Sequence, residues 1–230
     1  MISVIMPVYN GARYIREALD SIVAQEFPKL EIIVVDDGST DETKEIVTSY
    51  PFHVIRYQYQ DNGGPSVARN TGIRNAMFDY ITFLDADDTW PVQKLQKQFQ
   101  FLCDNPNIDV ITGLVNYVFV PGSEHRKDDY KVESPIFFVQ LGAMMLRRKV
   151  IDTIGNFNEQ LRFSEDHDWL LRIRENKIPL HIVNEIALNY RIHPGNMTKH
   201  KNAKDLQVLQ ALKFSLDRRR KTGLDTLEDI

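Results

Sequence analysis

One cysteine, Cys103, occurs in 230 residues. An internal disulfide is therefore excluded, and a reducing compartment fits. No segment approaches the ~20 consecutive apolar residues of a membrane-spanning helix. The apolar run ahead of Pro7 is too short for a secretory signal core, and no basic stretch precedes it. A cytoplasmic protein is expected, with peripheral contact at the inner membrane face left open. A basic excess is also missing: 28 Lys and Arg stand against 32 Asp and Glu, a net charge of −4. Nucleic acid is accordingly not an expected partner. The 11 glycines and 10 prolines are too few for collagen-like or low-complexity sequence.

What is present is ordinary for a globular chain, with 43% hydrophobic and 26% charged residues. The length suits one good-sized domain. No internal repeat and no clean linker interrupts it. A single domain over 1–230 is expected, with a first half at 1–104 and a second half at 105–230 packed on it.

Residues 2–6 form a short apolar run before Pro7, the pattern of a buried strand. Tyr14, Ile15, Ala18, Leu19, Ile22 and Val23 recur at helical spacing. Residues 32–35 are a second apolar run. Thr40, Asp41 and Glu42 put a capping oxygen and acids at the start of a second helix. Further strands are predicted at 54–59 and 80–84, and helices at 66–76 and 91–102, the last with Pro91 at its first position. This alternation predicts an α/β fold of right-handed βαβ units around a mostly parallel sheet, flanked by helices. The second half is less regular. It predicts strands at 110–118 and 140–146, an exposed mobile loop at 121–134, and a short helix at 148–154 ended by Gly155. A helix at 164–175, short strands at 180–183 and 187–190, and a closing amphipathic helix at 205–220 follow.

In open parallel sheets ligands sit beyond the carboxyl ends of the strands. Polar residues gather there: Tyr9-Asn10, Asp36-Asp37-Gly38-Ser39, Asp61-Asn62-Gly63-Gly64 and Asp85-Ala86-Asp87-Asp88. Four such loops converging on one rim point to a site. Asp85 and Asp87, two residues apart at a strand end, can both face a hard divalent cation such as Mg²⁺ or Mn²⁺. Asp88 reads instead as a solvated turn residue that caps the next helix. Asp41 and Thr40 serve a helix start and Gly38 a turn, which leaves Asp36 and Asp37 to accept hydrogen bonds from a base or a ribose. Tyr9 either stacks on that base or simply covers the sheet end. Glycines before the helix at 66 allow close approach of an anion. Arg69 either reaches a phosphate or base, or is an ordinary solvated arginine. In Ser164-Glu165-Asp166-His167-Asp168 the acids suit a helix start. Alternatively one of them is a general base. Asp166 and Asp168 point to different helix faces, so one base is expected rather than a carboxylate pair. His193 alone is more often structural than a ligand. The basic run Arg218-Arg219-Arg220-Lys221 reads as a solvated helix end, with anionic lipid as the alternative.

The segments SVIMPVYNGARYI, EIIVVDDGSTDET, NGGPSVARNTGI, FLDADD and GNFNEQLRFSEDHDWLLR occur in order. Together they resemble glycosyltransferase family 2, the inverting enzymes of the GT-A fold, from Ile2 to about His193. The resemblance implies that Pro7, Tyr9 and Asp37 hold the nucleoside of a nucleoside-diphosphate sugar, with Asp36 and Arg69 close by. It makes Asp85 and Asp87 the DxD motif, with Asp87 the more direct metal ligand and Asp85 nearer the ribose or sugar. His193 falls where many members place a histidine beside metal and diphosphate. Asp166 is implied as the catalytic base, with Glu165 in support. Glu17 matches a recurrent acidic position without an implied role. The QxxRW motif and membrane helices of processive synthases are missing, so addition of a single sugar is expected. A UDP-linked donor, a divalent metal, and a saccharide or lipid-linked acceptor in surface polysaccharide or glycolipid synthesis complete the implied picture. Two other readings stay open: a non-catalytic or hydrolytic nucleotide-sugar-binding module, and a sugar-1-phosphate nucleotidyltransferase. The second is disfavoured because residues 7–13 carry only Gly11. A nicotinamide dehydrogenase is disfavoured because no GxGxxG follows the first strand.

Overall fold

The computed structural model describes residues 1–52, 54–123, 135–136, 140–197 and 205–223. A seven-stranded sheet runs in the order β3-β2-β1-β4-β6-β5-β7. Its strands are β1 (Ile2–Val8), β2 (Leu30–Asp36), β3 (Ile55–Tyr59), β4 (Tyr80–Phe83), β5 (Val110–Phe119), β6 (Met145–Arg147) and β7 (Leu180–Ile192). The helices are α1 (Ile15–Val23), α2 (Thr43–Thr48), α3 (Pro65–Asn75), α4 (Lys94–Asp104), α5 (Arg148–Ile154), α6 (Glu165–Glu175) and α7 (Val208–Thr222). Strands β1 to β4 are mutually parallel where they pair, β6 is antiparallel to β4 and β5, and β5 is parallel to β7. The expected α/β architecture with a mostly parallel sheet is the one found.

Side-chain alternation along β1 feeds two cores. Ile2, Val4 and Met6 pack with Ile32 and Val34 of β2 and with Ile15, Leu19 and Ile22 of α1. Ile5 faces the other side, with Ile81 and Phe83 of β4 and Trp169 of α6. Both sheet faces are covered, which is why the strands read as continuous apolar runs. Helix α3 opens at Gly64, whose φ of +90° favours glycine, with Pro65 in the first turn. A Cβ on Gly72 would lie 2.3 Å from Ile5 Cγ2, so α3 lies closer to β1 than alanine would permit.

Several expected boundaries move. β1 runs through Pro7 to Val8. Helix α4 starts at Lys94, not at Pro91, because its entry is held from outside. The Gln25 side chain donates to Pro91 O at 2.9 Å and accepts from Leu95 N at 3.1 Å, and Gln93 takes a φ of 65°. The strand expected at 140–146 is a 3-10 turn at Leu141–Ala143 followed by β6. The two short strands expected after 180 are one strand, β7, with irregular register against β5 near Thr112 and Leu114. Gly113 makes room there, since a Cβ on it would sit 2.6 Å from Glu185 O. The basic run at 218–221 is not wholly solvated: Arg218 is ion-paired and Arg219 is buried. The loop expected at 121–134 lies outside the described residues from 124 onward. No helix among the described residues is long and apolar enough to cross a membrane.

Candidate active site

The loops leaving β1 and β2 are stitched together. Asn10 N donates to Ser39 Oγ at 2.8 Å, and Asn10 Oδ1 accepts from Thr40 N at 2.8 Å. Asp41 accepts from Ala12 N at 3.0 Å and from Thr43 N at 3.1 Å, so it serves both loops. The stitching leaves Tyr9 projecting at the sheet end, 55% exposed.

The two aspartates that leave β2 differ. Asp36 is buried, and its oxygens accept from Ser39 N at 2.8 Å and Tyr57 Oη at 2.6 Å. It does not line the cleft described below. Asp37 does line it, and accepts from Gln60 Nε2 at 2.7 Å, Gly63 N at 2.9 Å and Gly64 N at 2.7 Å. The Asn62-Gly63-Gly64 turn is thus built around this carboxylate. Gln60 directly precedes the Asp61-Asn62-Gly63-Gly64 loop, and nothing in the local sequence marks it.

At the end of β4, Asp87 Oδ2 faces His193 Nε2 at 2.9 Å and Asn196 Nδ2 at 3.3 Å. Gly195 N donates to His193 Nδ1 at 3.1 Å. The ring proton therefore sits on Nε2 in this arrangement. The His193 ring also packs on Tyr14, with centroids 4.6 Å apart. Asp88 is not a solvated cap. It is buried and accepts from Arg191 N at 2.8 Å, tying the loop at 85–88 to β7. Burial, then the charges of Asp87 and Asp85, push its carboxyl well above the ordinary range. Glu17 gains a visible partner: its carboxylate meets Arg191 at 2.6 Å. Nothing local marks Tyr14, Arg191 and Asn196: the start of α1 carries Tyr14 to the His193 ring, and β7 with the turn after it brings Arg191 and Asn196 beside the loop at the end of β4.

Arg69 is no solvated arginine. Its guanidinium, 6% exposed, bridges Asp85 at 2.8 Å and Glu165 at 2.5 Å. Burial opposes its charge, but these two carboxylates outweigh burial and hold it protonated. Neighbouring Asn70 accepts from Phe157 N at 2.8 Å and donates to Phe157 O at 3.0 Å. The Arg69-Asn70 pair thereby joins α3 to the second half of the chain, 87 to 96 residues away in sequence.

Helix α6 carries the late acids. Trp169 fixes the helix to the sheet, stacked on Phe157 at 4.7 Å with its indole N–H on Gly155 O at 3.1 Å. Asp168 points inward, fully buried between Arg172 and Arg218. Asp166 points the other way and lines the cleft with Glu165 and His167. Its Oδ1 accepts from the His167 backbone N at 2.8 Å and meets the His167 ring Nδ1 at 2.9 Å. Burial would raise its carboxyl, but His167 outweighs burial and holds it below the ordinary value. Burial raises the carboxyl of Glu165 against the pull of Arg69.

Tyr9, Asp37, Arg69, Asp85, Asp87, Glu165, Asp166, His167 and His193 border one cleft of about 840 Å³, while Asp36, Asp88, Asp168 and Glu17 do not. Pro7, Tyr9, Asp37, Arg69, Asp85 and Asp87 stand on its first-half side, and Glu165, Asp166, His167 and His193 on its second-half side. The volume falls within the usual range for small-ligand clefts. Among the described residues no three or more His, Cys, Asp or Glu groups gather as metal ligands. The Asp85–Asp87 carboxylates, with Asp88 behind them, nonetheless fit a hard divalent ion that takes its other ligands from a diphosphate and water. Ligation by His193 Nε2 would require its proton to move to Nδ1.

The family model described as Glycosyl transferase family 2 matches residues 3–166. A glycosyltransferase of Rickettsia prowazekii is 34% identical over 214 residues, covering 86% of this chain and 66% of the relative. The chain therefore spans just under two thirds of that relative's length. Among solved structures, S. aureus TarS 1-349 in complex with UDP-GlcNAc superposes with a TM-score of 0.73 at 24% identity, over 94% of this chain and 66% of TarS 1-349. The mannosyltransferase PcManGT from Pyrobaculum calidifontis in complex with GDP-Man and Mn²⁺ gives 0.68 at 24% identity, over 96% and 64% of the two chains. At these identities the likeness is one of fold.

Proposed function

The chain belongs to glycosyltransferase family 2, and on that premise we propose that it moves one sugar from a nucleoside-diphosphate sugar to an acceptor hydroxyl with inversion. The observation that carries this reading is the shared cleft: Asp87 and Asp166, 79 residues apart in the chain, border the same cavity. Arg69 supports it by bonding to a member of each acidic group, Asp85 and Glu165. Only one protein base is needed for an inverting displacement, and Asp166 lines the cleft with an oxygen, Oδ2, to which no hydrogen bond is made among the described residues.

In this reading Tyr9, exposed at the sheet end, covers one face of the base, and Pro7 forms the floor beside it. Asp37 faces the base from within the turn it organises, while Asp36 acts indirectly by holding that loop. Asp87, with the His193 nitrogen adjoining and Asp85 beside it, would hold a Mn²⁺ or Mg²⁺ ion. Such an ion offsets the charge that builds on the leaving diphosphate. Asp166 takes the proton of the acceptor hydroxyl as that oxygen attacks the anomeric carbon. Glu165 keeps Arg69 in place next to it. A UDP carrier is the donor this account favours, and the TarS complex with UDP-GlcNAc is the neighbour that supports it. A role in surface polysaccharide or glycolipid synthesis, with a saccharide or lipid-linked acceptor, belongs to the same proposal.

Incubation of the protein with Mn²⁺ and a panel of UDP- and GDP-sugars tests it. Slow release of the nucleoside diphosphate, with the freed sugar first appearing in the opposite anomeric form by proton NMR, is the expected result. Retention of the anomeric form, or release of pyrophosphate, would overturn it. Donor binding without turnover on any acceptor would favour a binding module.

A further inference from the structure

We propose that His167 is a positioning residue for this reaction, holding the Asp166 carboxylate by one oxygen and presenting the other to the cleft. The inference rests on Asp166 being the base. Two donors from the same residue, the His167 backbone N–H and the ring, converge on Asp166 Oδ1 at 2.8 and 2.9 Å. Among the described residues no hydrogen bond is made to Asp166 Oδ2. The carboxylate is thus fixed in one rotamer, with one oxygen free for an attacking hydroxyl. Both residues border the cleft, and the His167 side chain is 42% exposed.

The ring nitrogen beside a carboxylate oxygen is the one that carries hydrogen, so the neutral ring is the Nδ1–H tautomer. A second proton on Nε2 leaves this bond in place but adds positive charge next to the base. The carboxylate then becomes a poorer proton acceptor. Among the described residues, the charged groups that border the cleft with the ring include Arg162, just ahead of α6. Glu165 and Asp166 flank the ring on α6, and Arg69 of α3 stands behind both, paired to Glu165. Asp87 and His193 border the cleft from β4 and the end of β7, and Leu206 and Val208, on the α7 side, carry no charge. The bond to Asp166, against the opposing effect of burial, keeps the His167 titration above its ordinary value of 6.5. Turnover should therefore rise with pH through an inflection displaced upward from that value.

Two substitutions separate positioning from titration. His167→Asn keeps an N–H donor near the Nδ1 position and removes the titrating ring. It should retain most of the turnover and lose the inflection. His167→Ala removes both, and should lower kcat about ten- to a hundred-fold with the donor KM unchanged, the worth of a hydrogen bond to a charged group. Turnover is read as hydrolysis of UDP-GlcNAc, UDP-glucose and GDP-mannose with Mn²⁺. Wild-type kcat and pH profile in both variants, while Asp166→Asn is inactive, would overturn the inference. An active Asp166→Asn would instead overturn the base assignment itself. NMR on the ¹⁵N-histidine-labelled full chain gives a second measurement that needs no donor. The neutral His167 ring should carry its proton on Nδ1, and its titration should fall toward 6.5 in Asp166→Asn. A neutral ring protonated on Nε2, or an identical titration in both proteins, would overturn the inference.

Discussion

Lys94 buries its amine with no carboxylate beside it among the described residues. Its Nζ donates to Thr82 Oγ1 at 2.9 Å and Met144 O at 3.2 Å, and lies 4.1 Å from the centre of the Trp90 ring. Burial holds its titration well below the ordinary 10.5. Between the lowered folded value and 10.5 the unfolded chain binds the extra proton, so stability rises with pH across that window. For one proton the slope approaches about 1.4 kcal/mol per pH unit. Lys94→Met should remove this component, and urea midpoints at several pH values check it. A slope in the variant equal to the wild type's would contradict it. The same residue scale shows what the sequence conceals. Asp36 and Asp37 are adjacent and alike on paper. One is consumed by Ser39 and Tyr57 inside the fold, the other organises a glycine turn at the cleft. Backbone geometry at the strand exit decides between them, and no composition rule does.

At the scale of elements, α6 depends on α7. Arg218 of α7 pairs with Asp168 at 2.8 Å and Glu175 at 2.7 Å, and Ser215 bonds Glu175 at 2.5 Å. At the other end of α7, Gln207 Oε1 accepts from Arg162 N at 2.8 Å and Phe163 N at 3.1 Å, just ahead of α6. The family model ends at residue 166, so Asp168, Glu175 and all of α7 lie beyond it, while Arg162 and Phe163 lie within. Arg218→Ala leaves Asp168 its bonds to Arg172 but strips Glu175 of its guanidinium. It should destabilise by about 1–3 kcal/mol and speed amide exchange in Val208–Thr222 before the rest of the chain opens. Unchanged exchange across that helix would show that the clamp is not energetically significant. Sequence periodicity found α7 but placed its start three residues early. It could not show that its basic end turns inward, because Arg218 and Arg219 are distinguished from Arg220 only by the surface α6 offers. For the same reason Pro91 was a plausible helix start, until Gln25 of a distant segment supplied the cap.

For the whole molecule, the strand-exit loops are where sequence reading succeeds. Tyr9, Asp37, Asn62 and Asp85 to Asp87 all border one cleft, because parallel strands must end on one rim. The second half was harder to read. β6 runs against its neighbours and β7 absorbs bulges, so their pattern lacks a clean period. Yet that half supplies Asp166 and His193, and Arg69 and Asn70 lock it to the first. The proposed mechanism divides labour across the cleft, with donor and metal on Asp87 and proton removal on Asp166. Calorimetric titration of UDP with Mn²⁺ into Asp87→Asn and Asp166→Asn, read beside UDP release from a UDP-sugar, tests that division directly. Weakened UDP binding is expected in Asp87→Asn, and near wild-type UDP binding in Asp166→Asn with release of UDP reduced about a hundred-fold or more. Wild-type release by Asp166→Asn, or loss of UDP binding in it alone, would contradict that division.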